Sequence, residues 1–363
     1  MPTFNIVKTA EPKKTFRVAS VMGKFDLESN QIKEHFQGNI DINENWQIGL
    51  IVGKSGSGKT TIAKQLFPDS YITNFEYSAE TILDDMPKDC SVEDITKAFN
   101  SVGFSSPPSW LKPYSVLSNG EKMRVDLTRA ILSEQNFFVF DEFTSVVDRN
   151  VAQIGSFAMQ KAIRKTSKQF IAVTCHYDVE EWLLPDWVFD TDSMTFRNCD
   201  GQKKNRPDIK FEIFQTSDKS IWKVFAKHHY LSHTHNNAAS VYLAFVNDQL
   251  AGFCSVLHLP HPVAKNIKKV HRLVILPDYQ GLGIGIQFLN EIGEYYIKNG
   301  WRFTIVTSAP SLMFGLKKHK NWVCKHFGRM MASTGILHGS NNKTSNSKHR
   351  LTTSWEYIKK YNI

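Results

Sequence analysis

A chain of 363 residues, 41% hydrophobic and 22% charged, has the composition of a globular protein and the length for two domains with separate cores. No apolar run approaches the roughly 20 residues of a membrane span, and the opening MPTFNIVKTAEPKKTFRV lacks the apolar core of a secretory signal, so a cytoplasmic protein is expected. Charge is unevenly divided: residues 1–200 hold 21 Lys+Arg against 27 Asp+Glu, whereas residues 201–363 hold 23 against 8, with 11 of the 13 histidines.

Such a concentrated basic excess is the electrostatic footprint of a phosphate-rich partner, DNA or RNA. The five cysteines (90, 175, 199, 254, 324) are odd in number and scattered, which fits reduced thiols and indicates neither a disulfide framework nor a zinc knuckle.

The first strong pattern is ENWQIGLIVGKSGSGKT, an apolar strand followed by Gly53-x4-Gly58-Lys59-Thr60 and a helical TIAKQLF. This is a P-loop for ATP. Its glycines let the amides of Gly53, Ser55, Gly56, Gly58, Lys59, Thr60 and Thr61 converge on phosphate oxygens. Lys59 adds a point charge for the β and γ phosphates, and Thr60 a hydroxyl for Mg²⁺. In VLSNGEKMRVDLTRAIL (116–132), Ser118 and Gly120 open a predicted helix, a second anion-receptive N-terminus. QNFFVFDEF (135–143) predicts a buried strand ending in Asp141 and Glu142. The first is placed to hold Mg²⁺ and the second to polarise an attacking water. FIAVTCHYD (170–178) predicts a further strand ending at His176.

In this order the P-loop, LSNGE, FVFDE, SVVD (145–148) and the histidine resemble the ATP-binding cassette (ABC) ATPases over about residues 15–195. The resemblance implies a head-to-tail dimer with two ATPs between the subunits. Ser118 and Gly120 of one chain would touch the γ-phosphate held by Lys59 of the other. Glu142 would be the catalytic base, Asp148 the contact across the dimer and His176 the γ-phosphate sensor. One cassette per chain implies a homodimer. LSNGE stands where transporters usually read LSGGQ, and Leu117 comes only 57 residues after Thr60. Gln65, in the P-loop helix, is the sole glutamine between them, so no coupling loop to membrane subunits is identifiable and no membrane partner is expected. The aromatic that stacks on adenine is Phe16, Phe25 or Trp46; the sequence does not choose.

NCDGQKKNRPD (198–208) is polar with Gly and Pro, which predicts domains at 1–198 and 208–363 joined by a linker at 199–207. Beyond it KFEIFQ reads as a strand, SIWKVFAKHHY as a helix and ASVYLAFVNDQLAGFCSVLH as a hairpin across NDQ. VILPDYQGLGIGIQFL then gives a strand, a glycine turn and a helix. The third glycine of a dinucleotide fingerprint is missing and so is a P-loop lysine. Next come strand RFTIVTS, helix SLMFGLKKHK, strand WVCKHFGRM, a polar loop at 338–350 and strand LTTSWEYI.

The turn Gln280-x-x-Gly283-x-Gly285 and this element order resemble the GCN5-related acyltransferases (GNAT) over about 208–358. The resemblance implies that Gln280, Gly281, Gly283, Ile284 and Gly285 present amides and a helix dipole to the pyrophosphate of acetyl-CoA or another acyl-CoA. The expected fold is therefore α/β, a P-loop ABC ATPase domain followed by a GNAT-like acyltransferase domain. Candidates for the acyltransferase base are His229, Tyr230 and His271. HHYLSHTH (228–235) has spacings open to a metal site or to a basic cluster on nucleic acid. HHYLS also resembles a segment of the Mom family of phage adenine-modifying enzymes, which implies base modification. The expected function is ATP hydrolysis coupled to acyl transfer onto a nucleic-acid base. The alternatives are a protein or small-amine acceptor, or a second half that only binds nucleic acid.

Overall fold

The computed structural model describes residues 3–10, 13, 15–26, 32–42, 45–72, 75–199, 209–229, 234–329 and 351–359. The chain divides into two compact units, residues 1–77 with 126–207 and residues 78–125 with 208–363. A cut at 199–207 alone would leave 78–125 with the first half; the division places it with the second. The expected linker lies almost wholly outside the described residues.

In the first unit a six-stranded sheet runs in the order Tyr71–Ile72, Phe137–Phe140, Gln169–Thr174, Ile48–Val52, Trp187–Asp190, Thr195–Asn198. All neighbours are parallel except the last pair. IGLIV, and FIAV within QFIAVT, are unbroken apolar runs because parallel strands are covered on both faces. Ile51, Ile62, Val139, Ile171, Val173, Trp187 and Phe189 form the core, joined by Phe4 and Phe36 from the antiparallel pair Thr3–Ala10 and Ile32–Asn39. Gly49 is required by close packing, since a Cβ there would lie 2.1 Å from the Trp187 ring. Asp186 pins the start of the central strand. Its carboxylate takes Arg164 in a two-bond fork (2.7 and 2.8 Å) and accepts from the amides of Gln47 and Ile48.

In the second unit seven strands run in the order Trp322–Arg329, Leu351–Tyr357, Arg302–Thr307, Ile267–Ile275, Gln249–His258, Ser240–Val246, Phe211–Thr216. The predicted hairpin turns at Asn247 and Asp248, both with positive φ (47° and 63°), as a two-residue turn between twisted strands requires. Ile267–Ile275 and Arg302–Thr307 are parallel neighbours, and the helix Ile284–Lys298 crosses between them. That helix buries Phe288, Leu289, Ile292 and Tyr296 against Val270, Phe303, Trp322 and Tyr357. The helix expected through SIWKVFAKHHY spans Trp222–Ala226 only. His228 and His229 donate to the carbonyls three residues back, which tightens the last turn and ends it. The segment 78–125 contributes helices Val92–Ser101 and Pro107–Trp110 and the first two turns of Asn119–Leu132. Phe99 packs on Phe104 and Trp110 within it.

Candidate functional site

The P-loop runs from the buried strand Ile48–Val52 into the helix Lys59–Leu66. Gly56 and Gly58 both have φ of 86°, where a Cβ is strained, and a Cβ on Gly58 would also strike Phe36 at 2.4 Å. A Cβ on Gly53 would lie 2.2 Å from Thr191 Oγ1. The helix has no side-chain cap, so the amides of its first turn, Lys59 to Thr61 among them, have no partner within it. Ser55 is exposed. The Lys59 ammonium donates to the carbonyls of Gly53 (2.8 Å) and Lys54 (2.6 Å), curling over its own loop. Asp192 braces the loop from below by accepting from the Lys54 amide.

Thr60 and Asp141 meet where a divalent ion would need them: Thr60 Oγ1 donates to Asp141 Oδ2 at 2.8 Å. The Tyr71 hydroxyl donates to the same oxygen, and burial followed by this carboxylate pushes its pKa up. A hydroxyl and a carboxylate in contact at a P-loop are the oxygen donors Mg²⁺ prefers, so the residues fit that ion. Glu142 is exposed, with φ of 52°, and Thr144 is buried with φ of 67°. Two non-glycine residues in the left-handed region within three positions are the kind of strain that gathers at working sites. The strand expected to end at His176 stops at Thr174, so His176 lies in the loop two residues beyond it, and burial, then Arg149, pulls its pKa down. Asp148 caps the helix Arg149–Ile163, accepting from the amides of Asn150 and Val151, both at 3.0 Å.

Ser118 and Glu121 form a capping box. Ser118 Oγ accepts from the Glu121 amide (3.3 Å), and Glu121 Oε2 accepts from the Ser118 amide (3.0 Å). Glu121 Oε1 accepts from buried Ser109 at 2.9 Å. The P-loop belongs to the first unit, whereas Ser118 and Gly120 belong to the second. Of the adenine-stacking candidates, Trp46 is packed edge-on against Phe137 and Trp187, while Phe16 and Phe25 are exposed.

The turn at 280–285 comes after the strand Ile267–Ile275. Gly281 and Gly283 have φ of 90° and 88°, and a Cβ on Gly283 would meet nothing within 4 Å. Gly283 caps the helix Ile284–Lys298 with no side-chain bond, so the first amides of this N-terminus too have no partner within the helix. A Cβ on Gly285 would make ordinary contact with Ile275. The Ile284 side chain is buried with Val246 and Ala251. Gln280 spends its side chain on the protein. Its Oε1 accepts from the Ser105 amide (2.8 Å) and its Nε2 donates to the Ile275 carbonyl (2.9 Å).

Next to the turn the sheet opens. The parallel ladder pairs only Ile267–Lys269 with Arg302–Thr304 and stops, so the later parts of the two strands part company. On the other edge Arg272 pairs with Ser255 and Val270 with Val256, which leaves His271 as the extra residue of a bulge at the mouth of the opening. His271 lies 5.7 Å from His235, ring to ring, and His235 stands 5.7 Å from Trp222. Both nitrogens of His235 and Nδ1 of His271 are buried with no hydrogen-bond partner among the described residues. Burial, then Arg272 and His235, pushes His271 down to about 4.

The stretch 207–311 matches the family model described as the Acetyltransferase (GNAT) family. It is a GNAT domain. Among solved structures the chain is similar to a dimeric bacterial ABC transporter cassette (15% identity, TM-score 0.37, 52% of this chain and 92% of that one). It is also similar to a Bacillus subtilis acetyltransferase in complex with CoA (14% identity, TM-score 0.30, 42% and 100%) and an IAA acetyltransferase from Bacillus cereus (15%, TM-score 0.29, 41% and 99%).

Within the GNAT domain the three candidate bases fare differently. His271 stands at the opening, and His229 is buried edge-on to Trp222. Tyr230, with Ser232 and His233, lies outside the described residues, as does the loop 338–350. No group of three or more His, Cys, Asp or Glu is arranged for a metal among the described residues. No described helix is long and apolar enough to cross a membrane. His235 carried no sequence signal as a partner of His271, because the bulge that aligns them is set by register.

Proposed function

We propose that this protein hydrolyses ATP at the P-loop and transfers an acyl group from acyl-CoA to an amine in the GNAT domain. The observation that carries the reading is the recurrence of one cradle, an uncapped helix N-terminus behind a left-handed glycine, with different chemistry beside each copy. At the first, Lys59 and the P-loop amides bind the phosphates, and Thr60 with Asp141 would hold Mg²⁺, which neutralises charge on the β and γ phosphates. Glu142 takes a proton from water as its oxygen bonds to the γ-phosphorus and the bond to ADP breaks. Ser118 and Gly120 would complete the site of a partner chain in a homodimer. His176 would sense the γ-phosphate and Asp148 would touch the partner.

At the second, amides of Gly281 to Gly285 receive the pyrophosphate and the thioester lies in the sheet opening. A neutral amine attacks the carbonyl carbon and the new C–N bond replaces the C–S bond; His271 accepts the amine proton and passes it to the departing sulfur, so that CoA leaves as the thiol. Phosphate release from ATP and thiol release from acetyl-CoA, assayed on the full chain, test the two halves separately. Absence of either activity in the presence of amines and nucleic acid would remove that half.

The acceptor we favour is a nucleic acid, DNA or RNA, because residues 201–363 carry 23 basic against 8 acidic side chains. Binding that weakens steeply as salt rises, together with an acylated nucleoside in digests of treated nucleic acid, is the expected result. Salt-insensitive activity on a small amine alone would point to the other acceptor class.

A further inference from the structure

We propose, on the ATP-binding reading above, that Tyr71 is the positioning residue that fits the P-loop cation site to Mg²⁺ rather than Ca²⁺, by fixing the Asp141 carboxylate. All the residues concerned lie in the first unit. The short strand Tyr71–Ile72 runs parallel to Phe137–Phe140, with Tyr71 opposite Val139. Asp141 follows that strand directly, two residues past Val139, so it stands diagonal to Tyr71 on the same face. Across this diagonal the tyrosine hydroxyl donates to Asp141 Oδ2. The ring is held as well: it packs against the apolar core, and Lys64 Nζ lies 5.0 Å from its centroid. Lys64 and Thr60 are neighbours on one face of the helix Lys59–Leu66. The P-loop helix therefore meets Tyr71 at its ring and, through Thr60, at the carboxylate that the two hydroxyls share.

An ionised carboxylate offers about four lone-pair positions. Among the described residues, Asp141 accepts from Thr60 Oγ1 (2.8 Å) and the Tyr71 hydroxyl at Oδ2, and from the Glu142 amide (2.8 Å) at Oδ1. Oδ2 is thus saturated, and Oδ1 keeps one position. Thr60 has given its only hydroxyl proton to Asp141, so the lone pairs of its oxygen remain for a cation. Without the Tyr71 hydroxyl, Oδ2 regains a free position. The carboxylate is then free to turn and to meet a cation through either oxygen. Mg²⁺ demands near-ideal octahedral geometry, whereas Ca²⁺ accepts about six to eight oxygens in looser arrangements. A carboxylate that turns therefore costs Mg²⁺ more than Ca²⁺.

The test is calorimetric titration of the full chain with AMP-PNP in EDTA, in saturating Mg²⁺ and in saturating Ca²⁺. The quantity read is the gain in affinity that each cation gives over EDTA. In Y71F the Mg²⁺ gain should fall by about 10-fold, the size expected when a hydrogen-bond partner of a metal-site carboxylate is removed. The Ca²⁺ gain should fall less, and the Kd in EDTA should match that of the wild type. K64A, which frees the ring at the exposed side of the helix and keeps the hydroxyl, should lower the Mg²⁺ gain by a smaller factor. A wild type that binds AMP-PNP in none of the three conditions overturns the ATP reading. Binding that neither cation strengthens overturns the cation site at Thr60 and Asp141. A Mg²⁺ gain in Y71F equal to that of the wild type overturns the role of Tyr71. Equal loss of both gains, or weaker binding in EDTA, would make Tyr71 a support of the loop and overturn its selection of the ion.

Discussion

Gly58 and Gly283 share one backbone conformation on two different folds, φ 86° and ψ 5° against φ 88° and ψ 10°. Each is preceded two residues earlier by another left-handed glycine, Gly56 or Gly281. The next residue in the chain separates them: Lys59 brings an ammonium to the first cradle, while Ile284 turns into the core at the second. The sites should therefore fail independently. K59A should lower ATP turnover by about 100-fold or more, as loss of a charge that meets the transferring phosphate does, and leave the acetyl-CoA Kd in the absence of nucleotide unchanged. G283V, which adds roughly 1–2 kcal/mol of left-handed strain and a side chain in the cradle, should abolish acetyl-CoA binding and spare ATP binding. Calorimetry of both variants with both ligands decides it, and loss of both affinities in either variant contradicts separate sites.

Glu142 combines exposure with a left-handed backbone next to Asp141, whose Oδ1 accepts from the Glu142 amide at 2.8 Å. That bond holds the backbone, so the side chain is free to act. E142Q keeps the shape and removes the proton acceptor. Phosphate release should fall by roughly 10²–10⁴-fold while nucleotide affinity stays as in the wild type. Turnover that survives in E142Q would assign the base elsewhere.

Both cradles were legible in the sequence because each is contiguous: strand, glycines and helix lie within about fifteen residues. The seven strands of the second sheet were legible for the same reason, as local apolar runs bounded by turn residues, and so were Ile48–Val52, Phe137–Phe140 and Gln169–Thr174 of the first, whereas Tyr71–Ile72, Trp187–Asp190 and Thr195–Asn198 were not read. The features that long-range contacts decide were not. The grouping of 78–125 with 208–363 depends on pairs such as Arg124 and Asp278, which are 154 residues apart. The position of His271 depends on a one-residue slip against Gln249–His258, and no local pattern encodes a slip. Gln280 matched a ligand-binding motif by type and spacing, yet its amide group bonds the protein at both ends. Arg124 offered one signal, a charge among the apolar positions of MRVDL on a predicted helix, but not its partner.

The glutamate that ends LSNGE has a structural reason. Glu121 accepts from the Ser118 amide and from Ser109 Oγ, and Ser109 is itself buried. A glutamine has one acceptor oxygen for those two partners and would turn its amino group towards a donor. E121Q should therefore lower unfolding free energy by about 1 kcal/mol, and E121A, which strands the Ser109 hydroxyl and an amide, by about 2–3 kcal/mol. Urea denaturation of the full chain measures both. Equal stability of E121Q and wild type would mean that Ser109 reorients to accept.

His271 gives the pH dependence a definite sign. Its pKa in the folded protein is about 4, pushed below the ordinary 6.5 first by burial and then by Arg272, His235 and Lys269. Between those values the unfolded chain binds a proton that the folded chain refuses. The contribution to stability is therefore complete above 6.5 and is lost as pH falls towards 4. His235 is depressed in the same direction by burial, Lys219 and Arg272, so it adds to the same slope. H271Q should flatten the loss of Tm between pH 7 and 5 without removing it. The same neutral imidazole, on a bulge where the strands separate, is poised to take the amine proton. The acid limb of kcat/KM for acyl transfer should lie nearer 4 than 6.5. H271Q should lower kcat by about 10²-fold with little change in KM for acetyl-CoA, because the turn that binds the pyrophosphate is untouched. An acid limb that persists unshifted in H271Q would take the proton transfer away from this residue.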